Sequence, residues 1–67
     1  MQTDYFPSAK ERRAMILKML DQENEVSVTK LSKSLGISEV TIRKDLTLLQ
    51  NKNLLVRTRG GAIRRPI

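Results

Sequence analysis

Leu35-Gly36-Ile37-Ser38-Glu39-Val40-Thr41-Ile42-Arg43-Lys44-Asp45-Leu46 decides how this chain of 67 residues folds. Gly36 supplies the left-handed residue that commonly stops a helix, and Ser38 is a favoured N-cap. From Glu39 the sequence runs without Gly or Pro to about Asn51, which predicts a helix over residues 39–51. Upstream, Thr29 can cap a shorter helix whose apolar residues Leu31 and Leu35 lie one turn apart. Two helices separated by one apolar residue and a cap meet at a steep angle, which is the helix-turn-helix arrangement, with Ile37 expected to plug their junction.

Working outward, Ser8-Ala9-Lys10-Glu11 fits a reciprocal capping box and predicts a first helix ending near Gln22. Ala9, Arg13, Ile16 and Leu20 form its core-facing stripe, widened by Leu17 and Met19. Glu23-Asn24-Glu25 is a polar turn, and Val26-Ser27-Val28 alternates as a very short strand does. Beyond the third helix, Asn53 suits a left-handed turn, Leu54-Leu55-Val56-Arg57-Thr58 reads as a strand, Arg59-Gly60-Gly61 as a turn and Ala62-Ile63-Arg64 as the returning strand. Arg65-Pro66 then breaks the pairing. The expected fold is mainly α with a small β-hairpin, a three-helix winged helix-turn-helix over residues 8–65. Residues 1–7 are expected to be a flexible lead-in whose Tyr5 and Phe6 can dock on the core, and residues 66–67 the start of a linker to a further domain.

Composition narrows the function. At this length the core is single and small. With no Cys and no His, disulfide scaffolds, zinc fingers and Cys or His nucleophiles are excluded. The acids form neither a calcium-loop nor a paired-carboxylate pattern, so neither an enzyme nor a cofactor is expected. The net charge of +6 is uneven: residues 1–39 are balanced, and the whole excess falls in residues 40–67. A basic half-chain fits a polyanion, nucleic acid first and a membrane surface as the rival. No apolar run approaches the ~20 residues of a spanning helix and no signal peptide opens the chain, so a soluble, cytoplasmic protein is expected.

At about 100° per residue, Leu46 and Leu49 fall within roughly 40° of Ile42, which makes these three the buried side of the third helix. Val40, Arg43, Lys44, Thr47 and Asn51 then face outward, with Thr41 at the flank. Val40 suits a thymine methyl group in the major groove, or is simply a singly exposed valine. Arg43 can give a bidentate hydrogen bond to guanine, and Lys44 can do so less rigidly or clamp a phosphate; the alternative is a solvated charged face. Ser38 and the free amides behind it can hold a phosphate at the positive end of the helix. Asp45 borders the core side, where an ion pair with Arg12 or Arg13 is expected. In the wing, Arg57, Arg59 and Arg64 flank Gly60 and Gly61, which either let the backbone approach a phosphate track or minor groove, or are only a turn pair.

These residues resemble the DNA-binding domain of DeoR-family bacterial transcriptional regulators. The resemblance is carried by Glu11-Arg12, Val26-Ser27-Val28, Leu35-Gly36-Ile37-Ser38-Glu39, Thr41-Ile42-Arg43-Lys44-Asp45-Leu46, Leu49 and Gly60-Gly61-Ala62. The chain departs from the family pattern at Lys44, Asn53 and Arg59, where arginine, glycine and histidine are typical. The resemblance implies a repressor of sugar or nucleoside catabolic genes, bound to double-stranded DNA. It also implies a C-terminal domain, absent from this sequence, that binds a phosphorylated sugar and assembles a homo-oligomer. The competing reading is a winged-helix protein-protein docking module, for which an apolar patch on the outer face of the third helix is expected. Single-strand or RNA binding is disfavoured by the lack of surface aromatics for stacking.

Overall fold

A computed structural model describes residues 8–65; the expectations for residues 1–7 and 66–67 lie outside that range. The elements are α1 (Ala9–Glu23), β1 (Glu25–Ser27), α2 (Val28–Leu35), α3 (Glu39–Asn51), β2 (Leu55–Arg57) and β3 (Gly61–Arg64). Three helices and a three-stranded antiparallel sheet in the order β1-β3-β2 make the winged helix-turn-helix that the sequence predicts.

Both bonds of the capping box at Ser8 form: its hydroxyl accepts from the Glu11 amide at 3.1 Å, and its own amide donates to Glu11 Oε1 at 3.0 Å. The helix ends at Asn24, left-handed with φ 70°. Ile16 and Leu20 are buried, but Ala9 is exposed. The apolar stripe therefore begins later than its spacing suggests, because the preceding turn sends Arg12 and Arg13 to Asp45.

The start of α2 also differs from expectation. Ser27, not Thr29, is the N-cap, its hydroxyl accepting from the Lys30 amide at 3.3 Å. β1 pairs only as far as Ser27 opposite Gly61, and the Val28 amide donates to the Gly60 carbonyl at 2.9 Å, so the chain turns helical two residues sooner. Val28 becomes a buried helical residue instead of the end of a strand. Gly36 stops α2 with φ 67°. The turn is closed from both sides, the Ile37 amide donating to the Ser32 carbonyl at 3.2 Å and the Ser32 hydroxyl to the Ile37 carbonyl at 2.5 Å. Ile37 packs half-buried against the core.

The core is wholly aliphatic: Ile16, Leu20, Val28, Leu31, Ile42, Leu46, Leu49, Leu55 and Ala62. α3 contributes the three residues that its angular pattern predicts, and also Asp45, only 3% exposed. Arg12 grips this carboxylate with Nε on Oδ2 and Nη2 on Oδ1 at 3.0 Å, and Arg13 Nη1 reaches Oδ1 at 3.4 Å. The hydrogen bond to Asp45 is the main influence that raises the Arg12 guanidinium above its ordinary pKa, outweighing the opposing effect of burial.

After α3 the chain reverses at Asn53, left-handed with φ 62° as its residue type suggests. β2 and β3 are joined by Thr58-Arg59-Gly60, closed by the Thr58 amide on the Gly61 carbonyl at 2.9 Å. Gly61 is thus not a turn residue but the first residue of β3, and it is buried. A Cβ placed there would lie 1.8 Å from the Val26 carbonyl oxygen, whereas one at Gly60 would meet nothing within 4 Å. The glycine is required by the close approach of β1, not by the bend.

Two stability predictions follow from this packing. Asp45→Ala leaves two partly buried guanidiniums unpaired and is expected to lower unfolding free energy by about 3 kcal/mol, read by urea denaturation followed by circular dichroism. Gly61→Ala, by overpacking against the β1 backbone, is expected to cost at least about 2 kcal/mol, while Gly60→Ala stays within about 0.5 kcal/mol of the parent in the same assay.

Candidate nucleic-acid interface

Burying Ile42, Asp45, Leu46 and Leu49 fixes the rotation of α3 and turns Val40, Arg43, Lys44, Thr47 and Asn51 outward. Val40 is 60% exposed, the one large apolar side chain of α3 that is fully on the surface. Arg43, Lys44, Thr47, Leu48 and Asn51 line a shallow, open hollow of about 320 Å³ along this face. At the start of the helix the Ser38 hydroxyl accepts from the Thr41 amide at 3.2 Å and donates to Thr41 Oγ1 at 3.1 Å. Thr41 is half-buried, and its hydroxyl belongs to the cap.

Arg43 is not a free side chain. Its Nη2 sits 3.0 Å from Glu39 Oε1, an ion pair one helical turn long, while Glu39 Oε2 accepts from the Thr29 hydroxyl at 3.3 Å. Lys44 is exposed and has no ion-pair partner among the described residues.

The wing divides into three environments. Arg59 and Gly60 form the exposed loop tip, and Arg59 makes no ion pair among the described residues. Arg57 folds back on α3: its Nη1 donates to Thr47 Oγ1 at 2.9 Å, its amide donates to Gln50 Oε1 at 2.8 Å, and its Nε is buried without a partner. Arg64 lies at the opposite end of the hairpin, in register with Leu55, and contacts Asn24 Oδ1 at 3.1 Å and Asp21 Oδ1 at 3.5 Å.

Of the residues that the sequence marks for binding, the structure therefore gathers Ser38, Val40, Thr41, Arg43, Lys44, Thr47 and Arg57 on and beside α3, and sets Arg59 and Gly60 at the loop. It does not bring Arg64 or Gly61 to that loop surface: strand register carries Arg64 to the end of α1, and Gly61 is enclosed under β1. Two participants escaped the sequence reading. Glu39 was discoverable from its four-residue spacing to Arg43, whereas no periodicity links Gln50 to the backbone of a following strand.

Residues 12–65 match the DeoR-like helix-turn-helix domain. The chain belongs to that family. The DeoR-like chain is 45% identical over 53 residues to a putative aga operon transcriptional repressor of Escherichia coli O157:H7, covering 79% of this chain and 20% of that protein. It is 46% identical over 52 residues to the L-fucose operon activator of Haemophilus influenzae, covering 78% of this chain and 21% of that protein. To the transcriptional repressor GlcR of Bacillus subtilis it is 42% identical over 53 residues, covering 79% and 20% respectively. The chain thus spans about a fifth of the length of these relatives, and all three are named as regulators of transcription. No solved structure gives a significant match. A DeoR-like helix-turn-helix domain is thus the module that this chain shares with proteins named as regulators of transcription. Among the described residues no helix is long and apolar enough to cross a membrane.

The two exposed arginines of the hairpin are expected to behave differently. Arg59→Ala should reduce the salt dependence of duplex binding, lowering the slope of log K against log[salt] by about one, as loss of a phosphate contact does. Arg64→Ala should leave that slope unchanged. Fluorescence anisotropy titrations at several salt concentrations measure both.

Proposed function

We propose that this domain binds an operator duplex with α3 in the major groove and the wing on the flanking backbone or minor groove. The observation that carries the proposal is the two-sidedness of α3: one side is sealed in the aliphatic core, and the other presents Val40, Arg43, Lys44 and Thr47 to solvent. In this reading Arg43 donates to guanine O6 and N7, and Lys44 reads a base edge or holds a phosphate. Val40 packs on a thymine methyl group, while Thr41 and Thr47 reach base or backbone at the edges of the contact. Ser38 and the positive end of α3 hold a phosphate, and Arg59 with Gly60 follows the neighbouring strand. Arg57 ties wing to helix, so that the two dock as one body. Gly61 and Arg64 keep structural roles.

The complete protein is, on this proposal, a cytoplasmic regulator of sugar or nucleoside catabolism. Repression is the favoured sign, since two of the three relatives described above are named repressors and one an activator. A further domain that binds a phosphorylated sugar would assemble the homo-oligomer. Paired half-sites about one helical turn apart would then supply the affinity that a single domain lacks. The docking-module alternative is the weaker reading, because the outer face of α3 offers apolar surface only at Val40 and the partly exposed Leu48, among basic and polar groups.

Selection of bound duplexes from a random pool tests the proposal directly. With Lys44, the positive end of α3 and Arg59 neutralising about three phosphates, log K should fall against log[salt] with a slope of about −2 to −3. Arg43→Ala should cost roughly 1–3 kcal/mol and relax preference at one base pair. A flat salt response would remove α3 from the groove, and retention of full base preference in the variant would remove Arg43 from base contact.

A further inference from the structure

α3 carries two acids. Asp45 is buried against Arg12 and Arg13, which leaves Glu39 as its only carboxylate outside the core. It lies in the first turn, on the element proposed to meet a polyanion, where a negative charge opposes every phosphate contact. Helix-dipole stabilisation accounts for an acid in this turn, but not for the way both carboxylate oxygens are engaged. Oε1 holds Arg43 Nη2 at 3.0 Å, and Oε2 is held by the Thr29 hydroxyl of α2 at 3.3 Å. The carboxylate thereby links the neighbouring helix to the arginine, and both side chains of the pair stay substantially exposed.

We propose that Glu39 is a specificity-determining positioning residue, which raises the discrimination of this domain between its operator and other DNA by restraining Arg43. The inference rests on the reading of α3 as the base-contacting helix. A phosphate gripped by Arg43 in a non-specific complex lies beside the Glu39 carboxylate, and repulsion between the two anions weakens that contact. A guanine edge carries no net charge, and the guanidinium has five N–H donors of which only one is committed to Glu39, so the base can be read with the ion pair intact. The restraint therefore penalises sequence-independent binding and pre-orients the fork for a base edge.

The test is anisotropy titration of the 67-residue chain, at one fixed salt concentration, against a duplex selected from a random pool by the unsubstituted domain and against a scrambled duplex of the same composition. Glu39→Gln is expected to tighten binding to the scrambled duplex about twofold and to lower the selected-to-scrambled affinity ratio by about threefold. In an Arg43→Ala background the same substitution is expected to leave that ratio unchanged, which a merely structural glutamate would not predict. Thr29→Val, which removes the second anchor and keeps the charge, is expected to lower the ratio by about twofold and serves where Glu39→Gln weakens folding. An undiminished ratio in these variants, or an equal loss in the Arg43→Ala background, overturns the role of Glu39 and leaves α3 as the reader. A parent domain that binds both duplexes alike overturns that underlying reading and the inference with it.

Discussion

The buried carboxylate of Asp45 is the constraint to which the rest of the domain answers. A stripe of leucine and isoleucine tolerates small rotations, since apolar contact is non-directional. A carboxylate 3% exposed does not, because turning α3 would withdraw it from Arg12 and Arg13 and leave three charges without partners. Fixing α3 about its axis fixes which of its residues meet solvent, so an interaction on the inner side of the helix decides what the outer side displays.

The wing is bound into the same frame by backbone and polar contacts rather than by bulk. Gly61 lets β3 press against β1, and the Gly60 carbonyl receives the first amide of α2. Gln50 and Thr47 of α3 hold the backbone and side chain of Arg57. The hairpin is therefore anchored to both helices of the helix-turn-helix unit, while its tip stays open to solvent at Arg59 and Gly60.

Much of this was legible in the residues. The caps at Ser8 and Ser38, the stop at Gly36, the left-handed Asn53 and the buried side of α3 all depend on neighbours within one or two turns, and local rules suffice for them. The Asp45 pairing was also readable, because a charge at the border of an apolar stripe needs a cation nearby. What could not be read depends on contacts distant in sequence. Ser27 and Thr29 are both competent caps in isolation, and pairing of β1 with β3 ends the strand at Ser27. The direction of Arg64 and the enclosure of Gly61 follow from strand register, and the link from Gln50 to Arg57 from how the hairpin lies on α3.

The opposite-sided arrangement of α3 bears on how such a domain diversifies. Residues that hold the helix in place and residues that touch solvent share its length without sharing side chains, and substitutions at exposed positions away from special contacts shift stability by only about 0.5 kcal/mol. Changes at positions 40 and 44 can accordingly drift toward a new target while the fold stays intact, so descendants of one ancestor can come to prefer different targets on an unaltered scaffold.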